Sequence, residues 1–147
     1  MSYITNTDIE NFLGTLVYVQ LTDDTGTGSA DTTKVSQARL GAEGEVNSYL
    51  ATRYQVPVNI TGESETGEVI KTFALSLAAY RLHSRRSPVP TDIIRRHDEA
   101  LAWLSRVAAG IVQLPSTVAL PITTSVGLVT DSQISSRTMT RSELEDV

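Results

Sequence analysis

Cysteine is absent from the chain. That excludes disulfides, thiol nucleophiles and cysteine-based zinc sites, and it leaves the redox compartment open. No apolar run approaches the roughly 20 residues that a membrane-spanning helix needs. The opening MSYITNTDIE has neither a basic stretch nor an apolar one, so it does not read as a secretory signal. The expectation from these absences is an intracellular soluble protein. Basic residues are also scarce: 12 Lys and Arg stand against 17 Asp and Glu, a net charge of −5. General nucleic-acid binding needs the opposite balance, because phosphate contacts draw on an excess of Lys and Arg.

Catalytic and metal motifs are equally scarce. Only His83 and His97 are histidines, with no HExxH spacing. No G-x-S-x-G supports a serine triad. The glycines of DDTGTGSAD (23–31) match no phosphate-binding fingerprint. His97 falls on a helical stripe with Ile94, Leu101 and Leu104, where a histidine usually packs and bonds as a core residue. The expectation is therefore no catalytic residues, no metal site, no cofactor and no enzymatic activity.

The 147 residues suit one domain with an appended arm. Thr7-Asp8-Ile9-Glu10 fits a capping box that opens a short helix, interrupted at Gly14. The following TLVYVQL fits helix or strand. Asp31 is the expected N-cap of a long helix striped by Val35, Ala38, Ala42, Val46, Tyr49 and Leu50. A further helix is expected over about 68–85, with Val69, Phe73 and Leu77 on one face and Ile70, Ala74 and Ala78 beside it. SPVP breaks it. Thr91 is the expected cap of the last helix, striped by Ile94, His97, Leu101, Leu104 and Ala108, with Gly110 just past its end. Trp103 lies off that stripe, as peripheral core. Facing pairs Asp92–Arg96 and Arg95–Glu99 are expected on this helix.

Composition changes after Gly110. Residues 111–130 carry no charge and nine Val, Ile or Leu, and Pro115 and Pro121 forbid one continuous helix. Such a segment is too apolar for a solvated tail and calls for burial, on a partner or back on its own body. The reading is an all-α fold: a small bundle of about four helices over 1–110, and an extended C-terminal arm over 111–147 for contact with a partner or neighbour.

Charge is also uneven along the chain. Residues 1–30 hold Asp8, Glu10, Asp23 and Asp24 and no base, whereas 67–110 hold seven bases against four acids. Head-to-tail contact between copies would pair Arg85, Arg86, Arg95 and Arg96 with those acids. The alternative is that these charges are ordinary solvated helix faces.

One set of residues points to a family. Tyr3-Ile4-Thr5 and Asp8 are followed by Leu21-Thr22-Asp23 before an Asp-initiated helix. Ala42-x-x-Glu45-Val46-x-Ser48-Tyr49-Leu50-Ala51-x-Arg53-Tyr54 then leads to Val56-Pro57-Val58. Ala79-Tyr80-x-Leu82 precedes Arg85-Arg86, and Arg96-His97-x-x-Ala100-Leu101-x-Trp103-Leu104 precedes Ala109-Gly110. Arg137-x-Met139-x-Arg141-x-x-Leu144 closes the chain. In this order and spacing the sequence resembles the Mu-like phage head–tail connector (adaptor, head-completion) family. His97 and Met139 stand where the family pattern has aromatic residues.

The resemblance implies a helical virion protein of the neck, made in the host bacterial cytoplasm. It implies a homo-oligomeric ring, a dodecamer, bound to the portal protein and to tail or neck proteins such as a stopper or tail terminator. DNA passes through the ring without sequence-specific binding, and no membrane is involved. Arg137, Met139, Arg141 and Leu144 would form the portal-binding end of the arm. A helix–turn–helix regulator built on the two helices flanking SPVP is the competing reading; it predicts a basic recognition face and salt-sensitive DNA binding. A small enzyme, the third class, predicts convergent titrating groups in a cleft.

Overall fold

The computed structural model describes residues 2–60 and 65–115, and among them every regular element is an α-helix. There are five: α1 (Asn6–Leu13), α2 (Thr15–Thr22), α3 (Thr32–Leu50), α4 (Glu65–His83) and α5 (Thr91–Ala108). The ambiguous TLVYVQL segment is α2, so the bundle has one helix more than the expected four. Gly14, at φ +81°, serves as C-cap of α1 and N-cap of α2, and turns the chain between them without a β-carbon clash.

The caps show where local reading held and where it slipped. Asp31 caps α3, accepting from the N–H groups of Thr33 and Lys34. The first capping box sits two residues earlier than Thr7 and Glu10 suggested. Thr5 accepts from Asp8 N–H, and the Asp8 carboxylate returns the bond to Thr5 N–H at 2.8 Å. The shorter Asp side chain serves where a Glu was expected, because the next turn begins on Asn6. Thr91 is the first helical residue of α5, not its cap; Pro90 holds the cap position without a side-chain bond.

Packing follows from helix faces. Phe73 stacks on Trp103 with ring centroids 4.6 Å apart, and Tyr80 stacks on His97 at 3.9 Å. Residue numbers rise on α4 as they fall on α5, so the two are antiparallel. Arg81 reaches Gly41 and Glu45 of α3, and Arg53, just past α3, reaches Ala108 at the end of α5, so α3 lies against both. The helix α4 packs against all four others. Its Ile70, Ala74, Leu77, Ala78, Ala79 and Leu82 are each at most 1% exposed. The α3 stripe lands as expected, with Val35, Ala38, Ala42, Val46 and Leu50 buried.

On α5 the buried line is rotated from the expected one. Ala100, Leu104 and Val107 face the core, while Ile94 is 40% exposed and Leu101 and Ala108 are only partly covered. Small Ala100 lets α5 approach α4 closely, and that pulls the contact line toward it. Val69 and Phe73 likewise lie on the rim of α4's buried face rather than at its centre. The packed body runs past Gly110: Leu114 belongs to the core cluster, and its N–H donates to the Tyr54 hydroxyl at 2.9 Å.

Glycines in this framework divide by their surroundings. A β-carbon on Gly110, at φ +79°, would lie 2.3 Å from the Arg53 guanidinium; one on Gly44 would meet nothing within 4 Å. Gly44→Ala should therefore stabilise the protein by roughly 0.5–1 kcal/mol, because an exposed helix interior favours Ala over Gly. Gly110→Ala should destabilise it by at least that much, through positive φ and the displaced arginine. Urea denaturation of the two variants against the parent checks both signs.

Candidate functional site

The charged residues singled out in the sequence converge on two clusters and one helix face. The first cluster joins the end of α2 to the turn after α4. Asp24 is its centre. Its carboxylate contacts Lys34 at 2.5 Å, Arg85 at 2.6 Å and Arg86 at 3.2 Å. The two arginines also donate to backbone carbonyls, Arg85 to Leu21 at 2.8 Å and Arg86 to Asp23 at 2.9 Å. Those carbonyls belong to the C-terminal end of α2, which has no basic residue in its own last turn. Arg85 and Arg86 supply the missing positive charge from more than 60 residues away.

Asp23 does a different job next door. Its carboxylate accepts from the N–H groups of Thr25, Gly26, Thr27 and Gly28, at 2.6–3.1 Å. It thereby winds the DDTGTGS loop around itself. The Gly28 bond, with those of the other amides, holds its carboxyl at about 2, against an opposing desolvation. Lys34 and then Arg86 hold Asp24 well below the usual carboxylate range, with Arg85 adding to the effect.

Asp8 and Glu10 lie apart from this cluster. Asp8 pairs with Lys71 of α4 at 2.8 Å, and its carboxyl is lowered because the Lys71 and Thr5 bonds outweigh desolvation. Glu10 accepts from the Thr15 hydroxyl at 3.1 Å. On α5, Arg95 takes both acidic neighbours, Asp92 and Glu99, each at 3.6 Å. Arg96 does not pair with Asp92 as its spacing suggested; its guanidinium lies 5.5 Å from the centre of the Phe12 ring. His97 is half-buried, stacked on Tyr80 and bonded through Nδ1 to Asp98 at 3.1 Å. The four acids and four arginines thus all find partners within one chain. Arg137, Met139, Arg141 and Leu144 lie outside the described residues.

Several connecting residues escaped the sequence reading. Glu43, 8% exposed, takes the Ser2 hydroxyl and the N–H groups of Tyr3 and Ile4 on one oxygen, at 2.6–3.1 Å. It ties the start of the chain to α3. The Tyr3 hydroxyl donates to Asn47 at 2.6 Å and accepts from Val58 N–H at 2.8 Å. Arg53 lies against Gly110 and donates to Ala108 C=O at 3.3 Å, at the C-terminal end of α5. A carboxylate next to the apolar α3 stripe was the one available signal for Glu43. The Lys34 role was signalled only by its spacing of three from Asp31.

Two shallow surfaces on the described residues border α5. One, on α5, is lined by Ile94, Arg95, Asp98, Glu99 and Ala102. The other is a cleft of about 260 Å³ between the start of α4 and residues 112–115, floored by Val69 and Trp103. Among the described residues, no group of three or more His, Asp or Glu is placed to hold a metal ion, and no helix is long and apolar enough to cross a membrane.

Asp23 and Asp24 take up protons only well below the pH at which they would do so unfolded. Their contribution to stability is complete above the ordinary carboxylate pKa and is lost as pH falls through the folded-state values. The urea midpoint should drop between about pH 4 and pH 2. Asp24→Asn should lower the midpoint at neutral pH and lose less of it on acidification, since the three bases then lack their shared carboxylate. Equal acid sensitivity of variant and parent would show that the cluster carries no linkage.

A model of the family described as Bacteriophage Mu, Gp36 matches residues 3–127. No curated protein matches the chain.

Proposed function

The chain belongs to the Bacteriophage Mu Gp36 family, and from that premise we propose that it is a structural adaptor of the phage neck. In this reading copies form a ring, a dodecamer, beneath the portal. The ring bridges the head to tail or neck proteins and leaves a channel through which DNA passes. The observation that carries the proposal is the reach of the family match. It covers the helical body and continues to residue 127, through most of the uncharged 111–130 stretch. A pattern that includes both parts suits a subunit whose body packs in the ring and whose arm makes the attachment. The net charge of −5 suits it as well, because a negative channel wall repels phosphate and lets DNA slide.

The in-chain pairing of the charges bears on how copies meet. Reversing Arg85 and Arg86 would first break their contacts with Asp24 and the end of α2, so it would not isolate a contact between copies. The α5 surface around Ile94 and Arg95 is the better candidate. Arg95 keeps 64% of its side chain exposed, and its two ion pairs within the helix are loose at 3.6 Å. The regulator reading requires free arginines on one face. Arg85 and Arg86 are committed to Asp24, Arg95 lies between two acids and Arg96 sits over Phe12, which counts against it.

Purified protein mixed with portal-bearing, DNA-filled capsids should add a ring of density at the portal vertex. Deleting residues 131–147 should leave the helical circular-dichroism signal intact and abolish attachment, because it removes Arg137, Met139, Arg141 and Leu144. Unchanged attachment would remove the terminal anchor from the proposal. Salt-sensitive binding to free DNA without capsid binding would favour the regulator.

A further inference from the structure

Two kinds of contact hold this body together, and they divide it unevenly. The helices α3, α4 and α5 run 18 or 19 residues each. They meet through buried apolar faces and through the stacked pairs Phe73–Trp103 and Tyr80–His97. The helices α1 and α2 have eight residues each, about two turns. Isolated helices of that length do not persist in water, so each exists only while docked. Gly14 caps both and they pack on one another, so release of one removes support from the other.

Charge carries an unusual share of that docking. Residues 5–30 include Asp8, Glu10, Asp23 and Asp24 and no base. Against them stand bases from each long helix or its end: Lys34, Lys71, Arg85, Arg86 and Arg96. Asp24 takes Lys34, Arg85 and Arg86, Asp8 takes Lys71, and the Phe12 ring centre lies 5.5 Å from the Arg96 guanidinium. Between 23% and 47% of each ion-paired side chain stays exposed, so salt reaches and screens these contacts. The buried share is small: Ile9 on α1, and Tyr18, Leu21 and Thr22 on α2. Both ends of the segment are pinned. Glu43 holds the amides of Tyr3 and Ile4, and Asp31 caps α3.

We propose that residues 5–30 are an acidic clasp that opens as one unit, between those two pins, while α3, α4 and α5 stay folded. Opening uncovers the faces of α3 and α4 that α1 and α2 occupy, and frees the bases held there. The clasp is a built-in competitor for a polyanion: while it is closed, Asp8 and Asp24 occupy Lys71, Lys34, Arg85 and Arg86. The proposal does not rest on the connector reading.

Hydrogen exchange followed residue by residue tests it, because a local opening and global unfolding respond to different substitutions. Val107 is buried on α5, three helical turns beyond Arg96. Val107→Ala weakens the closed and the clasp-open forms alike, so the slow amides of α3 and α4 should exchange roughly tenfold faster and those of α1 and α2 at an unchanged rate. Dilute urea on the parent chain should repeat that division without a substitution, because the local opening exposes little surface. Asp24→Asn should speed exchange in α1 and α2 together, by roughly fivefold, although the ion pairs of Asp24 involve no residue of α1. Lys71→Gln should do the same, although its partner Asp8 lies on α1. Added sodium chloride should speed exchange in both helices of the parent. Acceleration of α1 and α2 in step with α3 and α4, by Val107→Ala or by urea, would make the body a single cooperative unit and overturn the proposal. A response confined to the helix beside the substituted side chain would overturn it, as would exchange in α1 and α2 that ignores salt.

Discussion

The helix α4 is the constraint on which the rest of the body depends. Like α3 it touches every other helix, and it carries more buried residues than any other. A helix covered on nearly every side cannot be amphipathic in the ordinary way, and α4 is not; its apolar residues spread around the axis. Ala74, Ala78 and Ala79 let three neighbours approach at once, while Ile70, Leu77 and Leu82 fill the spaces between them. Each of these larger side chains contributes about 1.5–3 kcal/mol by leaving water. Enlarging an alanine here would separate helices on more than one side, so the alanines determine the architecture as much as the large residues do.

Charged side chains finish what α4 begins. Arg85 and Arg86 close the C-terminal end of α2, Arg53 closes that of α5, and Glu43 gathers the amides that precede α1. The arginines serve carbonyls that a helix end leaves without partners, and Glu43 serves amides that precede one. These residues include much of what makes the sequence resemble its family: Tyr3, Ile4, Glu45, Arg53, Tyr54, Arg85, Arg86 and Gly110. Their positions explain the resemblance physically. Glu45 pairs with Arg81 at 2.9 Å, Tyr54 holds Leu114, and Gly110 leaves room for Arg53. The recurrent spacing records how one body is closed, and on its own says little about what that body binds.

That distinction marks how far the sequence could be read. Periodicity placed α3, α4 and α5 because their apolar residues recur at helical spacing over 18 or 19 residues. It left α2 undecided because eight largely apolar residues carry no contrast between faces; packing, chiefly against α1 and also against α3 and α4, decides for a helix. It rotated the α5 stripe because a small residue, Ala100, lies at the line of closest approach, and a hydrophobicity pattern gives Ala little weight. The charged pairs were legible only at helical spacing. Arg95–Glu99 was found, but Arg85 with Asp24 spans 61 residues and no local rule reaches that far. The acids and arginines were singled out for contact between copies, and their meeting within one chain was not visible.

This in-chain closure shapes how copies could associate. The charges first considered for contact between copies are largely satisfied at home, and each copy carries a net −5. Two such bodies repel at long range, weakly beyond the roughly 8 Å over which physiological salt screens exposed charge. In the connector reading, charge therefore cannot draw free copies together. Association must come from apolar burial at short range, at surfaces such as that around Ile94, or from a template that holds copies side by side. A portal ring is such a template: once it fixes neighbours at contact distance, their mutual repulsion is offset by the apolar area they bury. Were the connector reading to hold, the subunit would stay apart in solution and close into a ring only where a template has already set the spacing.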